Sequence, residues 1–386
     1  MAMPRVMIYV QHLLGVGHLH RVSAIARAMV RGGFGTTLVS GGMPDPTLHG
    51  LDGIRFLQLP PARAQDASFR VLLDEDGVPV TDEWRATRLQ ALNTIFDEVA
   101  PDAFLTELFP FGRRPMRFEL LPLLARIRDM KPRPLVFSSV RDILVDRSKP
   151  ERDLDTIAWL QQFYDVALIH GDPAVIPFEQ TFPLAERLKE QLRYTGYIVE
   201  QHNIPVTDLG SGEVLVSAGG GAVGMPLFRA ALAARPLSTA RDKPWRVLVS
   251  RHEKPDDVKE LRRMAGSGVV IEPARPEFPG MLRRCLLSIS KAGYNTVMET
   301  LASRARAVVV PFAGGEETEQ ALRANLLAER GLLQVVRESD LNAERLAAAI
   351  DVALAMSQPA TTGIDLNGAD QAVRLVHQAL AERNRQ

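Results

Sequence analysis

The sequence predicts an α/β protein built as two doubly wound domains, and three observations predict it. Short apolar runs alternate with helical patterns from one end of the chain to the other, as parallel strand-helix units require. The length, 386 residues, exceeds the ~250–300 at which a single core usually gives way to two. A glycine-rich turn follows the first apolar run of each half, where such a sheet opens onto its ligands.

In the first half the strand candidates are Val6 to Val10, Thr36 to Ser40, Ile54 to Leu59, Ala103 to Leu108, Leu135 to Val140 and Val166 to His170. Helical patterns cover Arg21 to Val30, Asp82 to Val99 and Met116 to Met130, while Pro61 to Val80 is polar, turn-rich and reads as a surface insertion. The second half continues with Val214 to Ser217, Arg246 to Ser250, Val269 to Ile271, Leu286 to Ser290 and Ala307 to Phe312. Between the halves, Gln201 to Gly212 holds Asn203, Pro205, Asp208, Gly210 and Ser211, a linker composition. The expected division is a first domain over 1–200, a linker over 201–212, a second domain over 213–365, and a final helix over 366–386 that packs back on the first domain.

Apolar residues make up 46% of the chain, enough for two cores. Lys plus Arg and Asp plus Glu both number 46, so there is no electrostatic footprint for nucleic acid. Cys285 is the single cysteine, which excludes an internal disulfide and a cysteine-based zinc site. No run reaches the ~18 apolar residues of a membrane span, and the N-terminus lacks a signal peptide's cleavage site. A cytoplasmic protein is expected.

Chemistry concentrates in three loops. Gly15-Val16-Gly17-His18 follows the first strand, with Arg21 in the first turn of the next helix. Glycine allows close approach of a ligand there, and a helix N-terminus offers free N–H groups to negative charge. Gly219-Gly220-Gly221-Ala222-Val223-Gly224 occupies the same place in the second domain and formally matches G-x-G-x-x-G. A dinucleotide site needs an acidic residue ending the next strand, but that strand ends in Arg251-His252. The loop therefore reads as a cradle for a mononucleotide diphosphate.

The third loop is the most specific. Ser290-Lys291-Ala292-Gly293-Tyr294-Asn295-Thr296-Val297-Met298-Glu299 is followed by Val308-Val309-Val310-Pro311-Phe312, then Glu319-Gln320 and Asn325. Gly293 after a strand, with Asn295 or Thr296 capping the helix, makes another anion-binding helix start. Glu299 lies one turn further in, where a carboxylate can accept from both hydroxyls of a ribose.

This block resembles the C-terminal domain of the MurG-type glycosyltransferases, which have the GT-B architecture of two Rossmann-like domains facing a central cleft. The likeness extends over Glu213 to about Val336, and Gly15 to Arg21 is similar to the N-terminal glycine loop of that superfamily and to the Gly-x-Gly-His loop of small-molecule UDP-glycosyltransferases. The resemblance implies a UDP-sugar donor, with Glu299 on ribose, Glu319 and Gln320 on sugar hydroxyls, and the loop near Arg275 holding uracil through backbone groups. Gly219, Gly220 and Gly221 would face the diphosphate. The chain departs from the family at Tyr194 to Val199, where an arginine commonly follows the strand, and in the longer segment Ala313 to Thr318.

Transfer would follow in-line attack of an acceptor hydroxyl on the anomeric carbon, with inversion, and it needs a base and positive potential for the leaving diphosphate. Helix starts behind Gly221 and Gly293 supply the potential without a metal. His18 is the candidate base. Glu107 ends the strand that starts the opposite winding, so it faces the same switch point and can orient the imidazole; Asp142, after the next strand, is the second choice. Two acidic triplets, Asp74-Glu75-Asp76 and Asp153-Leu154-Asp155, sit in a turn and a helical pattern, poor settings for a metal.

Gly112 to Arg133 carries an excess of five positive charges. With Phe109, Phe111 and Phe118 it offers a surface for a lipid-linked or phosphorylated acceptor, or for peripheral contact of residues 109–133 with the inner membrane face; a solvated basic helix is the plainer reading. Two other functions fit the same donor site: a nucleotide-sugar hydrolase or epimerase, and a non-catalytic nucleotide-sugar-binding subunit. The acceptor, whether small molecule, glycan or lipid-linked, is not encoded in any motif.

Overall fold

The computed structural model describes residues 3–385 except 47, 67–68, 145–149, 200–205, 220–223, 251–252, 313–317 and 360–362. The elements of the first half are β1 (Arg5–Val10), α1 (Gly17–Arg31), β2 (Gly35–Ser40), β3 (Ile54–Gln58), β4 (Arg63–Ala64), β5 (Leu72–Leu73), α2 (Asp82–Val99), β6 (Ala103–Glu107), α3 (Arg117–Asp129), β7 (Leu135–Arg141), α4 (Pro150–Phe163), β8 (Val166–His170) and β9 (Leu192–Tyr194). The second half holds β10 (Val214–Ser217), α5 (Met225–Ala234), β11 (Trp245–Val249), α6 (Pro255–Met264), β12 (Val269–Pro273), α7 (Phe278–Leu282), β13 (Leu287–Lys291), α8 (Tyr294–Ala302), β14 (Ala307–Val310), α9 (Glu319–Glu329), β15 (Gln334–Val335) and α10 (Ala343–Ala355), followed by α11 (Gly368–Arg383). Two compact units result: Met1–Ile198 with Asn367–Gln386, and Val199–Leu366.

The first unit is a seven-stranded parallel sheet of order β3-β2-β1-β6-β7-β8-β9. Its winding reverses between β1 and β6. Both faces are covered, which is why β1 reads as a continuous apolar run. Met7 and Tyr9 face a core shared with Phe96, Phe104 and Leu124, while Val6, Ile8 and Val10 face Val22, Ile25 and Met29 of α1. Thr81 caps α2 by accepting from the Trp84 amide at 3.2 Å. Helix α11 completes the α1 face with Ala369, Ala372, Val373, Val376 and Leu380.

The second unit is a six-stranded parallel sheet of order β12-β11-β10-β13-β14-β15, reversing between β10 and β13. Val214, Val216, Trp245, Val247, Ile289 and Val308 pack against Phe228, Leu232, Leu346 and Ile350. Asn342 caps α10, accepting from the Arg345 amide at 2.8 Å.

Candidate active site

In the first unit, α1 starts at Gly17, so His18 stands in its first turn directly above the end of β1. Across the switch point Glu107 ends β6, fully buried, and its Oε1 lies 2.8 Å from His18 Nδ1. Arg21, one turn along α1, bonds the same oxygen through Nη2. Arg21 Nη2 also lies 3.0 Å from His18 Nδ1, but a guanidinium cannot accept and its charge is matched by the carboxylate. The consistent proton arrangement has Nδ1–H donating to Glu107 and the lone pair on Nε2. The His18 side chain stays 12% exposed.

The electrostatics follow from burial and three arginines. Burial and then Arg113 hold the His18 imidazole well below its ordinary value, although the Glu107 hydrogen bond pulls the other way. Burial opposes ionisation of Glu107, yet the charge of Arg21 and hydrogen bonds from His18 and Ser139 outweigh it and hold the carboxyl far below the usual range. Burial, then the charge of Arg141, lowers Arg113 to about 10. Arg113 donates through Nε to the Gln11 carbonyl at 2.7 Å, which fixes it beside the first loop.

Leu108 and Arg113 both adopt left-handed backbone, with φ of 67° and 55°, so the chain leaving Glu107 is strained. The Leu108 amide returns to the Ser139 carbonyl at 2.7 Å and locks that turn. Asp142 lies one strand away, buried, and its Oδ1 accepts from the Ile143 amide at 3.0 Å. It is not brought onto His18. Gly15 is exposed, and a Cβ there would meet nothing within 4 Å.

In the second unit, Gly219 follows β10 with φ 72°, a conformation that disfavours any side chain. Gly220 and Gly221 lie outside the described residues. A Cβ on Gly219 would stand 3.8 Å from Thr296 Oγ1, so the structure brings this turn to the start of α8. Ser217 and Ser290 are register partners on β10 and β13, both buried, and neither hydroxyl has a hydrogen-bond partner among the described residues. Glu253 accepts from the Gly224 amide at 3.3 Å and braces the far side of the loop.

Glu299 is half-buried on α8, and its carboxylate has no partner among the described residues. Burial pushes it up to about 7. Helix α8 is capped by the extended backbone of Gly293, with no side-chain cap, so Asn295 and Thr296 sit inside the first turn instead of capping it. Glu319 is turned away from a purely ligand-facing role: it is buried and accepts from Arg323 Nη2 at 2.6 Å, one helical turn on. Gln320 uses its carbonyl on the Phe312 amide at 3.1 Å, and Arg275 is held in a two-pronged pair by Glu272 at 2.7 and 2.6 Å.

The basic segment has acidic partners for much of its charge. Phe109 and Phe111 are buried in the core, and Phe118 packs on Trp84. Arg114, Arg126, Arg128 and Arg133 pair with Asp155, Asp97, Asp129 and Asp165. With Phe109 and Phe111 inside, Phe118 and the arginines are what this segment offers at the surface. Among the described residues no helix is long and apolar enough to cross a membrane, and no three His, Cys, Asp or Glu side chains group as metal ligands. Asp74 instead closes its own turn, accepting from the Asp76 and Val78 amides at 3.1 and 2.9 Å.

Sequence reasoning missed Arg113, Ser139 and His170. The signal for Ser139 was faint: Ser138-Ser139 is a polar pair inside an apolar strand. Ser139 Oγ donates to Glu107 Oε2 at 2.5 Å and lies 2.7 Å from His170 Nε2.

Two doubly wound units, each with a glycine turn at its switch point, define the GT-B fold. MurG of Acinetobacter baumannii superposes with a TM-score of 0.60 at 16% identity, covering 97% of this chain and 99% of that one. The calicheamicin glycosyltransferase CalG4 follows with a TM-score of 0.58 at 14% identity, covering 98% and 94%.

Residues 216–377 match the glycosyltransferase family 28 C-terminal domain, a stretch of just over two fifths of the chain. The UDP-N-acetylglucosamine--N-acetylmuramyl-(pentapeptide) pyrophosphoryl-undecaprenol N-acetylglucosamine transferase of Brucella anthropi is 32% identical over 138 residues, 35% of this chain and 37% of that protein. The transferase of the same name from Phenylobacterium zucineum is 27% identical over 144 residues, 36% and 40% of the two chains. The matched stretch thus spans well under half the length of these relatives.

Proposed function

We propose that the chain is a glycosyltransferase that moves a sugar from a nucleotide-diphosphate donor, a UDP-sugar, to an acceptor hydroxyl, with inversion and without a resident metal. The observation that carries this reading is a coincidence of place. The family 28 match covers the switch point where Gly219 meets Thr296, one turn before Glu299, whose carboxylate has no partner among the described residues. In this reading the Glu299 carboxylate accepts from the ribose hydroxyls. The buried hydroxyls of Ser217 and Ser290 and the start of α8 meet the diphosphate, stabilising its charge as it leaves. Gln320 keeps its amide N–H groups for a sugar hydroxyl, and Glu319 contributes mainly by holding Arg323.

On the acceptor side, His18 Nε2 takes the hydroxyl proton as the oxygen attacks the anomeric carbon. Glu107 holds the ring and matches the charge that forms on it. Asp142 is the second candidate for the base. A cytoplasmic setting accords with the unpaired Cys285. The test is a thermal-shift screen of nucleotide sugars, followed by turnover of the best donor with alcohol, glycan and lipid-linked acceptors. Stabilisation by UDP-sugars together with transfer is expected; hydrolysis of donor alone, or no turnover with any acceptor, would replace the reading with one of the two other functions.

A further inference from the structure

A chain of hydrogen bonds crosses the strand ends of the first unit and stops at Glu107. Thr195 Oγ1 lies 2.9 Å from His170 Nδ1, His170 Nε2 lies 2.7 Å from Ser139 Oγ, and Ser139 Oγ donates to Glu107 Oε2 at 2.5 Å. All four residues are fully buried. Burial, then the charge of Arg21, pushes the His170 imidazole down to about 3, so the ring is neutral and carries one N–H. Ser139 gives its only proton to the carboxylate, so it must accept from His170 Nε2–H. His170 Nδ1 is then left to accept from the Thr195 hydroxyl, whose one proton is also within reach of the Gly196 and Ile169 carbonyls at 2.8 and 3.2 Å. From His170 through Ser139 to Glu107 both donors point the same way.

We infer that Ser139 and His170 are positioning residues for the His18–Glu107 pair, an inference that rests on His18 being the base. Glu107 Oε1 serves His18 and Arg21, while Oε2 is committed to Ser139. The carboxylate cannot rotate without breaking one set or the other, so its plane is set from both sides. With the plane set, His18 keeps Nδ1–H on Glu107 and the lone pair on Nε2. Aligned donors in a buried chain also polarise one another, which favours the anionic form of Glu107 that the charged imidazole needs. The charges around the pair come from Arg21 on α1, Arg113 after β6 and Arg141 at the end of β7. None of them is altered in the test below.

The test is NMR of the imidazole nitrogens in full-length, histidine-labelled protein, with kcat and donor affinity measured in parallel. Ser139→Ala and His170→Leu are expected to shift the His18 Nδ1–H resonance and hasten its exchange with solvent. They should lower kcat on the order of 10- to 100-fold, as small misplacements of a catalytic group do, with donor affinity unchanged. His170→Gln, whose amide still donates to Ser139, should keep wild-type values, and the double variant should be no worse than Ser139→Ala alone. Ser139→Cys, similar in size but a weak donor, replaces Ser139→Ala if the latter does not fold. An unshifted His18 resonance in a folded variant overturns the inference, as does a loss in His170→Gln equal to that in His170→Leu. Failure of the wild-type protein to turn over any acceptor would remove the transfer reading alone, because the ring resonances report the chain without turnover.

Discussion

His18 and Glu299 are the two side chains whose titration the fold shifts in ways an experiment can read. His18 is held neutral at pH 7 by burial and the neighbouring guanidinium groups. Its replacement by alanine should cut kcat by ~100- to 10,000-fold with little change in donor affinity, the range of a lost general base. Glu107→Gln should give a smaller fall, and the two should be less than additive because they act as one unit. Near-normal turnover in His18→Ala over several acceptors would move the base to Asp142. Glu299 is lifted by burial to about 7, from 4.5 in an unfolded chain. Across that window the folded state holds a proton the unfolded state has lost, so this group's contribution to stability falls as pH rises from 4.5 to 7. Glu299→Gln should therefore raise the Tm of the nucleotide-free protein at pH 8 and leave it little changed at pH 4. Nucleotide affinity should rise with pH through 7 as the carboxylate ionises, and Glu299→Ala should weaken it by about 1.5 to 3 kcal/mol; calorimetry showing pH-independent affinity would take Glu299 out of the site. Glu299 was legible because a glycine turn and a helical register locate it, and Glu107 because it ends a recognisable strand. Ser139 and His170 were not legible: nothing in an apolar strand says which polar residue meets a neighbour 31 positions away.

At the level of elements, the two glycine turns differ in what they demand of the chain. Gly219 needs positive φ, whereas Gly293 is extended and would accept a side chain, with nothing within 4 Å of its Cβ. Gly219→Ala should accordingly cost ~1 to 2 kcal/mol of the second unit's stability, while Gly293→Ala costs less; denaturant melts of both variants make the comparison. Equal losses would mean that the Gly219 backbone relaxes freely. The long strands and helices could be read from periodicity, but the hairpin of β4 and β5 could not, because two-residue strands carry no period. It is placed instead by contacts from elsewhere in the chain, among them the Ala64 amide on the Leu13 carbonyl at 2.9 Å and the Leu72 side chain in the core. The cap of α8 was misread for a related reason: Asn and Thr look like caps wherever they precede an apolar run, and only the backbone shows that Gly293 has already turned into the helix.

For the molecule as a whole, the GT-B fold follows from strand-helix alternation and length, features spread over hundreds of residues and hard to miss. Charge partners are the opposite case. The excess of basic residues in 112–133 is compensated by acids that are mostly distant in sequence, among them Asp97, Asp155 and Asp165. A reading confined to the segment could not see them. Because the proposed leaving-group stabilisation comes from helix starts, and Asp74 and Asp155 are engaged in a turn and an ion pair, turnover should survive EDTA. Complete, metal-reversible loss would count against the proposed mechanism.

Helix α11 belongs to the first unit although it follows the whole of the second in the chain. Gly368 fits so tightly that a Cβ would stand 2.4 Å from the Gly196 carbonyl oxygen, and His377 reaches the Gly32 carbonyl at 2.8 Å. On the ribosome, residues 1–198 therefore emerge without the helix that covers Val22, Ile25 and Met29. They must wait with that face open while the entire second unit is translated. The order of synthesis and the order of completion are thus inverted: the contiguous second unit can close first, and the first unit closes when α11 arrives. A nascent chain stalled at residue 366 should present an apolar patch suited to a chaperone and be cut by protease in its first unit before its second.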